Sequence, residues 1–166
     1  MGTDLTIRPA AQDDLREIAA IYNHEVVHSV STFDLEPPSI TYWQDRLAST
    51  QDGDHLLVAV DADDVVGYAY SSSYRPRSAY GQTRETSIYL HPSARGKGIG
   101  RVLYPALLET MAASGVHTAV ALVALPNPSS ITLHTAVGFE HVGTMREVGN
   151  KFGRWIDVAW YDLLLS

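Results

Sequence analysis

The sequence predicts an α/β fold in which about four helices flank a twisted sheet of about seven strands. Two observations lead to this prediction. The apolar residues change repeatedly between strand-like and helix-like spacing, and no repeat, low-complexity tract or linker divides the chain. A length of 166 residues suits one domain, and 45% hydrophobic residues suffice for a sizeable core. We therefore expect a single domain over residues 1–166.

The first half of the chain predicts a strand, two helices and three further strands. Leu15, Ile18 and Tyr22 recur at helical spacing, and carboxylates precede them where the helix dipole favours negative charge. Later, two apolar or β-branched runs flank the acidic segment 61–64, a composition typical of a hairpin turn. A second helix follows Ser39, which we expect to cap it. The predicted elements are a strand at 5–8, helices at 15–26 and 42–47, and strands at 55–60, 65–71 and 85–90.

The second half predicts a long helix, a buried strand, a short helix and a final strand pair. Leu103, Leu107 and Met111 belong to the apolar face of the long helix, which we expect to end before Gly115. A continuous apolar run then indicates a buried strand, and Gly138 closes the short helix after it. The predicted elements are a helix from 102, a strand at 118–125, a helix at 130–137, and strands at 139–145 and 155–165.

Charge and hydropathy narrow the possible partners. The chain carries 12 Lys and Arg residues against 19 Asp and Glu residues, which gives a net charge of -7 at neutral pH. This acidity disfavours nucleic acids and anionic membranes, because both repel a negatively charged surface. Residues 1–9 lack the apolar core of a signal peptide, and no later stretch is long enough to span a bilayer. We therefore expect a cytoplasmic protein with no nucleic-acid or membrane partner.

The absence of cysteine narrows the chemistry. It removes disulfides, thiolate metal sites, iron–sulfur clusters and cysteine nucleophiles together. The histidines other than His91 and His134 show no shared metal-ligand spacing, so we interpret them as structural or surface residues. The sequence therefore predicts no metal site.

A glycine-rich segment, Arg95-Gly96-Lys97-Gly98-Ile99-Gly100, joins a predicted strand to the long helix. Glycines let a ligand approach the main chain, and the amides at a helix start attract anions. Arg95, Lys97 and Arg101 add positive charge, so a pyrophosphate is the expected ligand. A Walker loop needs Ser or Thr after Gly-Lys, where this chain has Gly98, and a dinucleotide fingerprint needs another glycine spacing. An ordinary strand-to-helix turn is the alternative.

The pattern Arg95-x-x-Gly98-x-Gly100 between a strand and a helix resembles motif A of the GNAT family of acyl-CoA-dependent N-acetyltransferases. The segment from Asn127 to Phe139 resembles motif B of the same family. The resemblance extends over residues 7–163 and implies the GNAT fold, with a mixed, mostly antiparallel sheet. It implies acetyl-CoA as co-substrate, contacted by Leu90, His91, Arg95, Gly96, Lys97, Gly98, Ile99, Gly100, Arg101, Asn127 and Ser130.

Three further stretches resemble the phosphinothricin and methionine sulfoximine (sulfone) acetyltransferase branch. They are Asn23-His24 with Thr32-Phe33, the segment 74–80 with Glu85 beyond it, and the segment 149–158. The resemblance implies a small amino-acid-like substrate and a homodimer in which the stretch from Asn150 to Trp155 lies near the partner's active site. Arg84 departs from the branch, where a small or apolar residue is expected, and can alter the substrate preference or the basicity of Glu85.

Two residues are candidates for catalysis. Acetyl transfer needs an unprotonated amine, and Glu85 can accept its proton directly or through a water, because desolvation raises the pKa of a carboxyl group. The alternative for Glu85 is a solvent-facing strand residue. His134 titrates near neutrality and can assist the base or protonate the departing thiolate. The alternative for His134 is a helix-surface or core histidine.

The candidates for substrate binding follow the third strand or the first helix. Arg75 and Arg77 can clamp a carboxylate, since guanidinium groups pair bidentately with carboxylate oxygens; the alternative is a solvated loop. Phe33, Tyr80 and Tyr74 can wall the substrate side chain, although aromatic residues more often serve packing.

The leading interpretation is an N-acetyltransferase that moves an acetyl group directly from acetyl-CoA to the α-amino group of a small amino acid or analogue. Phosphinothricin, methionine sulfoximine and methionine sulfone are the substrates that the resemblance implies. An acetyltransferase for protein N-termini or lysines is one alternative, against which the paired arginines argue. A non-catalytic acyl-CoA-binding domain is another, against which Glu85 and His134 argue. Resistance to an antibiotic or herbicide and general amino-acid metabolism both remain open as roles.

Overall fold

The computed structural model describes residues 5–166, which form one seven-stranded sheet with four α-helices. The parts of the expected domain and of the N-terminal stretch that fall on residues 1–4 lie outside the described residues. The strands are β1 (Thr6–Pro9), β2 (His55–Asp61), β3 (Asp64–Ser73), β4 (Thr83–Leu90), β5 (Thr118–Ala124), β6 (Glu140–Lys151) and β7 (Arg154–Leu164). The helices are α1 (Leu15–His28), α2 (Ile40–Leu47), α3 (Gly100–Ala113) and α4 (Pro128–Ala136).

The sheet has the strand order β1-β2-β3-β4-β5-β7-β6. Every neighbouring pair is antiparallel except β4 and β5, which run parallel. This is the mixed, mostly antiparallel sheet that the sequence led us to expect, so the predicted fold class is confirmed. Within residues 5–166, no helix combines the length and the apolar character needed to cross a membrane.

The core lies on both faces of the sheet. On one face, α1 and α2 bury an aromatic cluster in which Trp43 packs edge-on against Tyr22 and Tyr68. On the other face, α3 buries Leu103 and Leu107 against residues of β2, β3, β5 and β7. The two helical layers therefore leave β4 and β5 in the middle of the molecule, with a different set of side chains above and below them.

The predicted boundaries differ from the structure in places. β6 extends to Lys151, beyond the predicted end at residue 145. The prediction stopped early because this exposed edge strand has a register shift between Met145 and Gly149. A shift of this kind interrupts the alternation on which strand prediction depends. Ser39 occupies the N-cap position of α2, but its side chain makes no capping hydrogen bond, so the expected capping contact is absent.

Candidate functional site

A cleft of about 750 Å³ opens where β4 and β5 separate. The two strands pair only at Thr83–Thr118, Arg84–Ala119 and Glu85–Val120. Beyond Glu85, β4 continues to pair with β3 on one side, while its other side borders the cleft. Backbone groups on that side have left the parallel ladder, and they can pair with an extended ligand placed between the strands.

The glycine-rich segment forms one end of the cleft. Gly96 and Gly98 adopt φ angles of +72° and +80°, and a Cβ added at either would meet nothing within 4 Å. The open space is therefore available to a ligand at the main chain. Ile99 is buried and anchors the segment in the core. At Gly100, where α3 begins, a Cβ would lie 3.0 Å from the Leu133 side chain of α4, so glycine allows the two helices to pack closely.

All but two of the residues expected to contact acetyl-CoA line this cleft. Those that line it are Leu90, Arg95, Gly96, Gly98, Ile99, Gly100, Arg101, Asn127 and Ser130. Lys97 is exposed and outside the lining, and so is His91, whose Nδ1 accepts a hydrogen bond of 3.2 Å from the Ser93 amide. The Asn127 side chain caps α4, since its Oδ1 accepts a 3.1 Å hydrogen bond from the Ser130 amide.

His134 lies in the cleft wall, buried between aromatic rings. The rings of Tyr104 and Phe139 lie 5.1 Å and 5.3 Å from its ring, both edge-on. Its Nδ1 lies 2.7 Å from the Ser130 carbonyl oxygen, and we assign the proton to Nδ1 because only a donor satisfies that carbonyl. Burial lowers the pKa of His134, with the Ser130 carbonyl opposing the shift. With the proton assigned to Nδ1, Nε2 of the neutral ring is a hydrogen-bond acceptor.

Glu85 and His134 lie on opposite faces of the sheet. The residue after Glu85, Thr86, points toward α3, because its Oγ1 lies 2.6 Å from the hydroxyl of Tyr104. Tyr104 in turn contacts His134. Side chains alternate along a strand, so Glu85 points to the face covered by α1 and α2. The structure therefore gives the two candidates separate surroundings, and it does not bring their side chains to one face.

Positive charge from two arginines reaches Glu85. Burial raises the pKa of Glu85, while the charges of Arg75 and Arg46 act in the opposite direction. Arg46, which the sequence did not single out, comes from α2, and its guanidinium carbon lies 4.0 Å from the ring centroid of Tyr70. Tyr70 pairs with Ser87 across β3 and β4, two residues beyond Glu85. The carboxylate is thus half-buried, and desolvation and the nearby cations shift its pKa in opposite directions.

The predicted substrate-binding residues lie outside the cleft lining. Arg75 and Arg77 are exposed on the loop after β3, and only Arg75 is among the charges that act on Glu85. Tyr80 packs edge-on against Tyr74 at 5.4 Å in the same loop. Phe33 covers Gly149 so closely that any side chain there would overlap its ring. Of these residues, Arg75 is the one whose charge reaches Glu85, where β4 and β5 separate.

Arg84 faces away from Glu85, as alternation along β4 requires. It is buried, its Nε lies 3.1 Å from Asp54 Oδ1, and it also donates to the carbonyls of Asp52 and Gly81. Arg84 is not among the groups that shift the pKa of Glu85. The expected effect on basicity is therefore not supported; the residue instead fastens the turn before β2 to the start of β4.

Two buried charges beside the cleft escaped sequence analysis. Glu25 pairs with Arg95, and it falls on the apolar stripe of α1 between Tyr22 and Val26, which is the signal that could have revealed it. Lys151 is 2% exposed, and its Nζ donates a 2.8 Å hydrogen bond to the Thr32 carbonyl. It ends β6 and belongs to the stretch from Asn150 to Trp155 that is expected to face the partner.

Two residues of that stretch, Phe152 and Arg154, line the cleft of the same chain. Among residues 5–166, no group of three or more His, Asp or Glu side chains is placed to hold a metal ion.

Comparison with known proteins shows the family of the chain. A family model described as an acetyltransferase (GNAT) domain matches residues 7–160. The chain is 45% identical over 165 residues to phosphinothricin N-acetyltransferase of Streptomyces coelicolor, a match that covers 96% of this chain and 95% of that protein. It is 40% identical over 165 residues to L-methionine sulfoximine/L-methionine sulfone acetyltransferase of Pseudomonas paraeruginosa, covering 97% and 95% of the two chains.

A solved structure gives the same fold. The GNAT superfamily phosphinothricin acetyltransferase of Sinorhizobium meliloti, in complex with AcCoA, superposes with a TM-score of 0.93 at 42% identity. The match covers 98% of this chain and 89% of that one.

Proposed function

Because the chain belongs to the GNAT family of acetyltransferases, we propose that it transfers the acetyl group of acetyl-CoA directly to the α-amino group of a small amino acid or analogue. The substrates we propose are phosphinothricin, methionine sulfoximine and methionine sulfone, because these compounds appear in the names of its relatives. The observation that carries the proposal is the cleft between β4 and β5, with a glycine-rich helix start at one end and Glu85 at the point where the strands separate.

The residues of the cleft fit acetyl-CoA, which supplies the acetyl group as a thioester. The amides around Gly98 and Gly100, with the dipole of α3 behind them, would hold the pyrophosphate. Arg95 and Arg101 border the same end of the cleft and add positive charge. The backbone of β4 near Leu90, freed from β5, would pair with the amides of the pantetheine arm.

Glu85 would take the proton that the amine loses. The amine nitrogen forms a bond to the thioester carbon, the carbon–sulfur bond breaks and CoA leaves as a thiolate, and the amine proton passes to Glu85 directly or through a water. The raised pKa of Glu85 suits this role, since a carboxylate with a higher pKa is a stronger base. His134 would act on the other face as a neutral ring with Nε2 as acceptor, rather than as the proton donor to the thiolate.

The substrate would approach from the α1 and α2 side of the point where β4 and β5 separate. Arg75 and Arg77 would receive its carboxylate, and Phe33 and Tyr80 would border its side chain. The influence of Arg75 on Glu85 supports this arrangement, because a carboxylate bound at Arg75 lies near the proposed base.

A substrate screen that follows thiol release tests the proposal. Rapid release of CoA with phosphinothricin, methionine sulfoximine or methionine sulfone, and none with a peptide panel, is the expected result. Release with peptides alone would favour the protein acetyltransferase instead. If no amine causes release of CoA although acetyl-CoA still binds, a non-catalytic binding domain would be favoured.

The same proposal includes a homodimer in the cytoplasm, with the stretch from Asn150 to Trp155 near the partner's active site. Apolar side chains exposed on β6 and at the start of β7, namely Val142, Met145, Val148 and Trp155, support a contact between copies. Light scattering that gives a monomer at micromolar concentration would contradict it. Resistance is tested separately, since a sensitive bacterium that expresses the chain should then grow on phosphinothricin.

A further inference from the structure

We infer that Glu25 is a positioning residue, which holds the guanidinium of Arg95 at the edge of the cleft so that its remaining N–H groups meet the phosphates of the acyl donor. The inference rests on the proposed function and adds a residue of α1 to the machinery that selects a phosphate-bearing donor.

Glu25 is an unusual residue for its place in the helix. It is 4% exposed, and it lies on the apolar stripe of α1 with Ile21, Tyr22 and Val26. A carboxylate in such a place must have partners, because an isolated buried charge is very costly. Both of its oxygens have one: Oε2 accepts a 2.6 Å hydrogen bond from the Ser29 hydroxyl, and Oε1 pairs with Nη2 of Arg95.

The partner of Glu25 is only partly buried. The Arg95 side chain is 49% exposed, and it lines the cleft together with Gly96 and Gly98. Its Nη2 is occupied by Glu25 and lies 3.5 Å from the Leu90 carbonyl oxygen. Within residues 5–166, the other guanidinium nitrogens of Arg95 make no hydrogen bond. A guanidinium has five donors, so several remain for an anion.

Holding the Arg95 side chain in place before the ligand binds has two advantages. A free arginine loses rotamer entropy when it grips a phosphate, and a guanidinium already fixed by one carboxylate has lost part of it. The planar group also presents its free edge in a fixed direction, which favours bidentate pairing with two oxygens of a phosphate. Glu25 therefore increases the affinity for phosphates although it is itself negative.

The fold alone does not require this carboxylate. A buried ion pair adds little net stability compared with apolar side chains of similar size, and α1 already presents apolar residues around Glu25. An apolar residue at position 25 would complete the stripe but would leave Arg95 free to move. The placement of a charge here is explained by what it does to Arg95.

The test compares acetyl-CoA with S-acetylpantetheine, which has the same thioester but lacks the phosphates and the adenosine. Calorimetry on Glu25→Gln should show about ten-fold weaker binding of acetyl-CoA, and binding of S-acetylpantetheine within about two-fold of the original protein. Arg95→Met should give the same selective loss, and the double variant should lose no more than either single one. Glu17→Gln, on the exposed side of α1, is the control and should bind both donors normally.

Glu25→Leu is tested in parallel, because it preserves the apolar stripe if the glutamine variant folds poorly. A loss that is equal for both donors would indicate a merely structural role and overturn the inference, as would unchanged binding of acetyl-CoA. Thiol release by the unaltered protein is measured separately. Its failure would overturn the acetyl transfer reaction, whereas the two binding ratios would still decide the role of Glu25.

Discussion

At the scale of single residues, Glu85 shows how its surroundings set its chemistry. Burial in the space between β4 and the helices raises the pKa of its carboxyl group, and the charges of Arg75 and Arg46 limit that rise. Desolvation and the nearby guanidinium charges thus act on the pKa of Glu85 in opposite directions, and desolvation is the larger effect. Glu85 is the last residue of β4 that pairs with β5, and the next residue, Thr86, lines the cleft.

Replacing the proposed base tests this assignment. Glu85→Gln should lower kcat by about 10²–10⁴, because the amide fills the same space but cannot accept the proton. Acetyl-CoA affinity should change little, since Glu85 is not among the residues that line the cleft. Single-turnover kinetics and calorimetry measure the two quantities, and a turnover close to that of the original protein would remove Glu85 from the mechanism.

The pH dependence tests the influence of Arg75. Its positive charge favours the ionised carboxylate, so Arg75→Gln should raise the pKa of Glu85 further and move the acidic limb of kcat/KM to higher pH. Arg77→Gln is the matched control, since Arg77 is not among the charges that act on Glu85. Both variants can weaken substrate binding, but only the first should move the limb. An equal movement in both variants would contradict a specific effect of the Arg75 charge on Glu85.

The glycine-rich segment offers a comparison between two equally strained positions. Gly98 and Gly115 have φ angles of +80° and +88°, and a Cβ at either meets nothing within 4 Å. Gly98→Ala and Gly115→Ala should therefore each lower the free energy of unfolding by about 1–2 kcal/mol, because residues with a side chain are disfavoured in the left-handed region. Only Gly98→Ala should also weaken acetyl-CoA binding, since only Gly98 borders the cleft. Equal binding by both variants would argue against a phosphate site at Gly98.

At the scale of secondary-structure elements, the sequence predicted the strands and helices better than the contacts between them. The stripe of α1 and the hairpin of β2 and β3 follow from local periodicity, and both are found close to their predicted bounds. The separation of β4 from β5 was not predictable in this way, because it depends on pairing between segments 35 residues apart, such as Glu85 and Val120. Local patterns carry no information on where such a ladder ends.

Buried charges were missed for a related reason. Glu25 and Lys151 are nearly inaccessible to solvent, although residues of their types normally lie at the surface. Each is held by a partner far away in the chain, as Lys151 is by the Thr32 carbonyl. The glycine-rich segment could be found because its chemistry is contained in six consecutive residues, from Arg95 to Gly100.

The turn between β6 and β7 depends on one of these charges. Lys151→Met should lower the free energy of unfolding by about 1–3 kcal/mol, because it leaves the Thr32 carbonyl without its donor in a buried place. It should also raise the KM for acetyl-CoA, since Phe152 and Arg154 next to it line the cleft. Urea unfolding and steady-state kinetics measure the two effects. Arg146→Met, an exposed cation on β6, is the control and should leave both unchanged.

At the scale of the whole molecule, the net charge of -7 and the affinity for an anion are compatible. Long-range repulsion between the acidic surface and the donor is screened within about 10 Å at 0.1 M salt. The cations that border the cleft, Arg95 and Arg101, act at much shorter range and are supported by the amides at the start of α3. Local geometry thus outweighs the average charge once the ligand has entered the cleft.

A ligand in this cleft should stabilise the entire fold, because the cleft separates two parts of one sheet. One wall is β4, which belongs to the layer of β1 to β3, and the other comprises β5 and α4. Acetyl-CoA at one hundred times its Kd should therefore add about 2.7 kcal/mol to the free energy of unfolding. For a chain of this size that corresponds to a rise in Tm of about 5–10 °C.

The same melting experiment with S-acetylpantetheine at equal concentration should give a clearly smaller rise, since the glycine-rich segment and α3 then contact no phosphate. Gly98→Ala should reduce the rise with acetyl-CoA toward that smaller value, whereas Gly115→Ala should lower the starting Tm but keep the full rise. Equal rises with both donors would mean that the nucleotide part, phosphates included, adds nothing to binding, and the anion site would have to be abandoned. A complete lack of stabilisation by acetyl-CoA would instead contradict the cleft itself as its binding site.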